Sequence, residues 1–156
     1  MFVKDQIGTM PLKKIFKSDK NSNGKTEQLT VAVLLFRLVR SDGEAKMLEL
    51  VHMSELLRKE FSLTQEELEA VFKLADQEES QLTDTMQFVE EICQEMSDQK
   101  RIKLLEYLWI LAFSDDKIEE SEVSLIKGVA QKLQLSELEQ ASAQENAEKH
   151  LGLDLF

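Results

Sequence analysis

SDGEAKMLE, Ser41 to Glu49, and SDDKIEESE, Ser114 to Glu122, are the two stretches whose comparison decides how this chain is read. Each sets an Asp directly after a Ser and a Glu seven residues beyond that Asp. Each is preceded by an apolar segment and followed by an amphipathic one. The match continues outward at constant spacing. Leu35, Leu38 and Val39 fall opposite Leu108, Leu111 and Ala112, and Leu50, Met53 and Leu56 fall opposite Val123, Ile126 and Val129. Self-similarity at a fixed offset is the signature of an internal repeat, here about residues 28–80 and 100–150.

The periodicity on both sides of these turns is helical. From Glu27 to Arg40, the residues Leu29, Ala32, Val33, Leu34, Leu35, Phe36, Leu38 and Val39 are apolar almost all round a helix, as are Leu104, Leu105, Tyr107, Leu108, Trp109, Ile110, Leu111 and Ala112 between Ile102 and Phe113. A helix with so little polar face is buried, so the two are expected to pack on each other at the centre. Leu50, Met53 and Leu57 after the first turn, and Val123, Ile126, Val129 and Leu133 after the second, mark amphipathic helices laid over that pair. Thr64 with Glu67 and Ser136 with Glu139 are capping boxes that open two more helices, the former continuing through Leu68, Val71, Phe72 and Ala75. A further helix over about residues 83–96 joins the copies, with Met86, Val89, Ile92, Cys93 and Met96 on one face. Five Gly, one Pro and 42% apolar residues leave no strand signal and enough material for one core. The expected fold is all-α, about seven helices, as two pseudo-symmetric repeats around a buried helix pair.

An apolar helix, Ser-Asp-Gly or Ser-Asp, a short turn and a Glu seven residues after the Asp, occurring twice, resembles the TerB family of tellurite-resistance proteins and their relatives. The resemblance covers about Gln28 to His150 and implies an all-α pseudo-symmetric domain whose paired acidic residues hold a metal ion, in a family tied to stress responses and membrane-associated complexes. The motif positions are Asp42, Gly43 and Glu49 in the first copy, and Asp115 and Glu122 in the second. The second copy has Asp116 where the first has its glycine.

Charge sorts the remaining options. A formal net charge of −11 repels a phosphate backbone and excludes nucleic acid as the main partner. Residues 1–25 are the exception, with Lys4, Lys13, Lys14, Lys17, Lys20 and Lys25 against Asp5 and Asp19. Within them PLKKIFK, Pro11 to Lys17, puts Leu12, Ile15 and Phe16 on one face. A piece this short more often packs on the acidic body or stays mobile, the alternative being a basic anchor for an acidic partner or for the inner face of a membrane. Asp19 to Gly24 matches the opening of a calcium-binding EF-hand loop, but Thr30 stands where that loop needs a bidentate Glu, so it reads as a polar linker. A lone Cys93 on an apolar stripe, no signal-peptide core and no long apolar run point to a cytoplasmic chain. The acidic stretch Asp76 to Ser80 reads as a helix end.

Carboxylates suit calcium, magnesium or manganese, and a divalent ion takes two or more with carbonyls and waters. If the pseudo-two-fold sets the turns side by side, Asp42, Glu49, Asp115 and Glu122 surround one shared divalent cation. Asp at a helix boundary and Glu in a first turn are also ordinary helix punctuation. His52 lies one helical turn after Glu49 and His150 in a polar tail. No phosphate loop, nucleophile-base set or HExxH motif is present, so no catalytic residue is assigned. The expected function is a metal-binding sensor or adaptor with a protein partner. A pure protein-interaction module without metal is the alternative, and a metallo-hydrolase the remote one.

Overall fold

A computed structural model describes residues 23–155 apart from 42, 44, 45, 115 and 116, with backbone only for 23–26 and 152–155. The described residues form seven helices and no strand: α1 (Asn23–Val39), α2 (Met47–Phe61), α3 (Gln65–Gln81), α4 (Thr85–Cys93), α5 (Asp98–Phe113), α6 (Glu120–Lys132) and α7 (Glu137–Leu155). The all-α expectation holds among them. Three boundaries move. α1 and α5 each begin four residues before the apolar pattern does, because a polar first turn carries no hydrophobic period. Asn23 and Gly24 therefore belong to a helix rather than to a linker. α4 is shorter than the expected 83–96, since the chain turns after Cys93 and Ser97 then caps α5 by accepting the Lys100 N–H at 3.3 Å. Pro11–Lys17 and Asp19–Ser22 lie outside the described residues.

Apolar surface on every face of α1 and α5 dictates what surrounds them. Val31 through Phe36, Leu38 and Val39 are almost inaccessible on α1, and Leu104 through Ala112 on α5. α1 packs against α2, α3, α5 and α6, while α5 packs against α1, α2, α6 and α7. Aromatic pairs tie these layers together. Phe36 meets Phe72 of α3 edge-on with centroids 5.2 Å apart, Phe61 of α2 meets Tyr107 of α5 at 5.9 Å, and Trp109 stacks on Phe113 at 5.2 Å.

A single local device turns the chain after α2 and again after α6. Ser62 and Gln134 adopt left-handed backbone, with φ of 53° and 61°. The next residue in each case, Leu63 or Leu135, is buried and donates its N–H back to a helix carbonyl, of Arg58 at 3.0 Å or Ala130 at 3.3 Å. This satisfies carbonyls that the helix end leaves open. Thr64 and Ser136 then cap the following helices, each accepting an N–H at 3.1 Å from a Glu whose own carboxylate takes the cap N–H at 2.9 Å.

The acidic stretch at the end of α3 is more than a helix end. Glu79, one helical turn beyond buried Ala75, is only 5% exposed and sits between the guanidinium groups of Arg37, in α1, and Arg40, just beyond it. Arg40 hydrogen-bonds its Oε1, and Arg37 Nε lies 3.3 Å from its Oε2, a charge pairing without an aligned hydrogen bond. Arg37 also donates to the Leu82 carbonyl at 2.6 Å, and Arg40 reaches Asp76 at 2.7 Å while lying over the Phe36 ring. Two cations and a carbonyl close the α1–α3 seam where the apolar packing ends.

Trp109 is buried on α5. Trp109→Ala is expected to destabilise by about 3–5 kcal/mol, as truncation of a buried large aromatic does. Chemical denaturation monitored by helical circular dichroism measures it, and an unchanged midpoint would show that α5 is not enclosed as described.

Candidate functional site

The first acidic turn begins where α1 tightens, with the N–H groups of Arg40 and Ser41 bonded to the carbonyls of Phe36 and Leu38 at 3.0 and 3.1 Å. Gly43 follows with φ of +89° and its N–H on the Arg40 carbonyl at 3.0 Å. That left-handed backbone suits glycine, which lacks the Cβ that strains it. Lys46 is the last residue before α2, at φ −87° and ψ 146°, and its N–H donates to Glu49 Oε1 at 3.3 Å.

The second turn closes on the same plan. Ser114 donates both its N–H and its hydroxyl to the Leu111 carbonyl, at 3.2 and 2.7 Å. Glu119 precedes α6 at φ −83° and ψ 149°, and its N–H donates to Glu122 Oε1 at 2.9 Å. Glu49 and Glu122 therefore occupy equivalent places in the first turns of α2 and α6. They are buried at 7% and 4% exposure. The open N–H groups and positive dipole end of a helix stabilise a carboxylate there.

Ser41 Oγ lies 3.4 Å from Ser121 Oγ. Ser41 immediately precedes Asp42 and Ser121 immediately precedes Glu122, so the chain leaving α1 abuts the first turn of α6. Of the four expected ligand positions, Glu49 and Glu122 are placed by the structure, while Asp42 and Asp115 lie outside the described residues. Among the described residues no group of three or more His, Cys, Asp or Glu is arranged to hold a metal.

The family model for tellurite resistance protein TerB matches residues 28–145. The chain belongs to the TerB family. The TerB match runs from within α1 into the first half of α7 and takes in both acidic turns, so the resemblance carried by the two Asp-to-Glu spacings is the right one. No curated protein and no solved structure matches the chain. No helix among the described residues of this TerB-family chain is long and apolar enough to cross a membrane.

Three other features bear on chemistry. Cys93 is buried, as its apolar stripe indicated. His52 is half-buried with Nδ1 enclosed and unpartnered, and His150 belongs to α7 rather than to a loose tail. Tyr107, which the sequence marks only as one more apolar position, has the most displaced acidity. Burial pushes its phenol well above the usual tyrosine range, and the nearby carboxylates of Glu60, Glu106 and Glu27, with a hydrogen bond to Glu60, push the same way.

That displacement sets an alkaline limit. The phenol is neutral when protonated, and the folded state holds its proton more tightly than the unfolded chain, whose tyrosine ionises near pH 10. The stability it contributes is intact below about pH 10 and is lost as the pH rises through the higher folded value. The chain has one tyrosine, so phenolate absorbance is expected to appear only as helical circular dichroism disappears. Ionisation near pH 10 in a fully helical protein would contradict the enclosure of Tyr107.

Proposed function

We propose that this TerB-family chain is a non-catalytic, cytoplasmic module that binds one divalent cation, calcium, magnesium or manganese, between its two acidic turns and presents the result to a protein partner. On this reading residues 26–156 are one domain made of two pseudo-symmetric repeats, about 28–80 and 100–150, related by a rotation that exchanges α1 with α5, α2 with α6 and α3 with α7. Asp42, Glu49, Asp115 and Glu122 are its ligands, and residues 1–25 supply a basic contact to an acidic partner or to the inner face of a membrane. The observation that carries the proposal is the 3.4 Å approach of Ser41 to Ser121, which puts the chain neighbour of Asp42 beside that of Glu122. The burial of Glu49 and Glu122 beside the two turns supports it, because a cation stabilises carboxylate charge that is drawn out of water. The adaptor role is favoured by Met47, Leu48 and Val51 at the start of α2, which are 76%, 56% and 45% exposed beside the first turn.

Thermal melts test the cation. A divalent ion that binds only the folded state raises stability with the logarithm of its concentration, by about 2.7 kcal/mol at one hundred times the dissociation constant. The expected result is a rise in Tm from chelator to millimolar ion. Glu122→Gln keeps an oxygen for the Glu119 N–H while removing the charge, and Asp42→Asn removes charge from the facing turn. Both are expected to raise the Tm slightly in chelator and to abolish most of the rise with ion, since the repulsion among the four carboxylates is then weaker. A wild-type melt indifferent to all three ions would sink the metal reading.

A further inference from the structure

We propose that Met86 is a site of reversible oxidation, and that its thioether is what holds the start of α4 against α6. Gly128 lies inside α6, where a glycine disfavours the helix. The space left by its missing side chain is filled from α4. A Cβ at that position would stand 2.7 Å from the Met86 methyl carbon and 3.3 Å from the Met86 sulfur. Met86 is thus seated in a notch on α6, the helix against which α4 chiefly packs. Val89 and Cys93 follow at three and seven residues, on the same face of α4, and are 0% and 2% exposed.

The described methionines divide by what an oxidant can reach and what its reaction disturbs. Met47 is 76% exposed, whereas Met53 and Met96 are 0% and 7% exposed in the core. Met86 is half-buried and packed on that core at a helix seam, so it combines access to solvent with a structural contact. The oxidant is a hydroperoxide. A lone pair on the Met86 sulfur attacks one peroxide oxygen, the O–O bond breaks and an S–O bond forms. The sulfur is oxidised by two electrons, and the departing oxygen leaves as water once it takes up the proton of its former partner. The product is a polar, chiral sulfoxide in place of a flexible apolar group. Its oxygen needs room and a hydrogen-bond donor, and it is carried by a sulfur already in close contact with α6. The first turn of α4 is therefore displaced, and the face that carries Cys93 opens. Enzymatic reduction of the sulfoxide restores the thioether.

Cys93 supplies the readout, because it is the one cysteine of the chain and is buried. Full-length protein is treated with hydrogen peroxide and then with dithiothreitol, which returns reversibly oxidised thiols and leaves sulfoxides in place. After desalting, the rate of Cys93 labelling by a soluble aromatic disulfide is measured, and peptide mass spectrometry locates the added oxygen. Met86 is expected to gain one oxygen, and labelling to accelerate about tenfold or more, the size of an ordinary loss of local packing. Methionine sulfoxide reductase is expected to return the slow rate. Met86→Leu keeps the volume without the sulfur, and its labelling is expected to stay slow before and after peroxide, while Met47→Leu responds as the wild type does. Three results overturn the proposal: a Met86 left unoxidised at a dose that converts Met47, a labelling rate unchanged once Met86 is converted, or an acceleration that the reductase does not reverse. An acceleration as large in Met86→Leu as in the wild type also overturns it, since another residue would then account for the effect.

Discussion

Enclosure of two helices that have almost no polar face is the constraint from which the rest of this structure follows. α1 and α5 cannot present any side to water without exposing Leu, Val, Ile or an aromatic ring. Each is therefore packed on the other and covered by amphipathic neighbours, α2, α3 and α6 over α1, and α2, α6 and α7 over α5. Covering helices must follow closely in the chain, and the short acidic turns are what connect α1 to α2 and α5 to α6. The turns are a consequence of the packing before they are anything else.

Their chemistry is inherited from that position. A short reversal between a buried helix and its cover leaves the first turn of the cover pointing into the domain, so Glu49 and Glu122 are drawn below the surface. There each carboxylate answers one backbone N–H and the helix dipole. Helix capping accounts for the Oε1 contact of each residue. It does not account for the approach of Ser41 to Ser121, which joins the exit of α1 to the first turn of α6. The proposed shared cation rests on that cross-connection.

What the sequence made legible follows from what hydrophobic period and spacing record. The seven helices, the enclosure of Trp109 and Phe36 and the capping boxes at Thr64 and Ser136 all leave a local pattern, and the paired Asp-to-Glu spacing was specific enough to indicate the family. Boundaries at Asn23, Cys93 and Asp98 were misjudged because polar first turns and the turn after α4 carry no such period. Asp76 to Ser80 was read only as a helix end because the partners of Glu79, Arg37 and Arg40, lie far away in sequence, in and just after α1. The spacing from Ala75 to Glu79 was the one available signal, since it puts the carboxylate on the buried face of α3. That His52 and His150 line one cleft is likewise a product of tertiary packing and has no trace in local sequence.

Calorimetric titration of metal-stripped protein with calcium, magnesium and manganese in turn tests most directly whether the two turns act as one site. The account predicts a stoichiometry of one ion per chain for at least one of these metals, and its loss when Glu49→Gln and Glu122→Gln are combined. Two independent ions per chain, or no binding heat with any of the three at a temperature series chosen to expose it, would contradict a shared site and leave the acidic turns as helix punctuation.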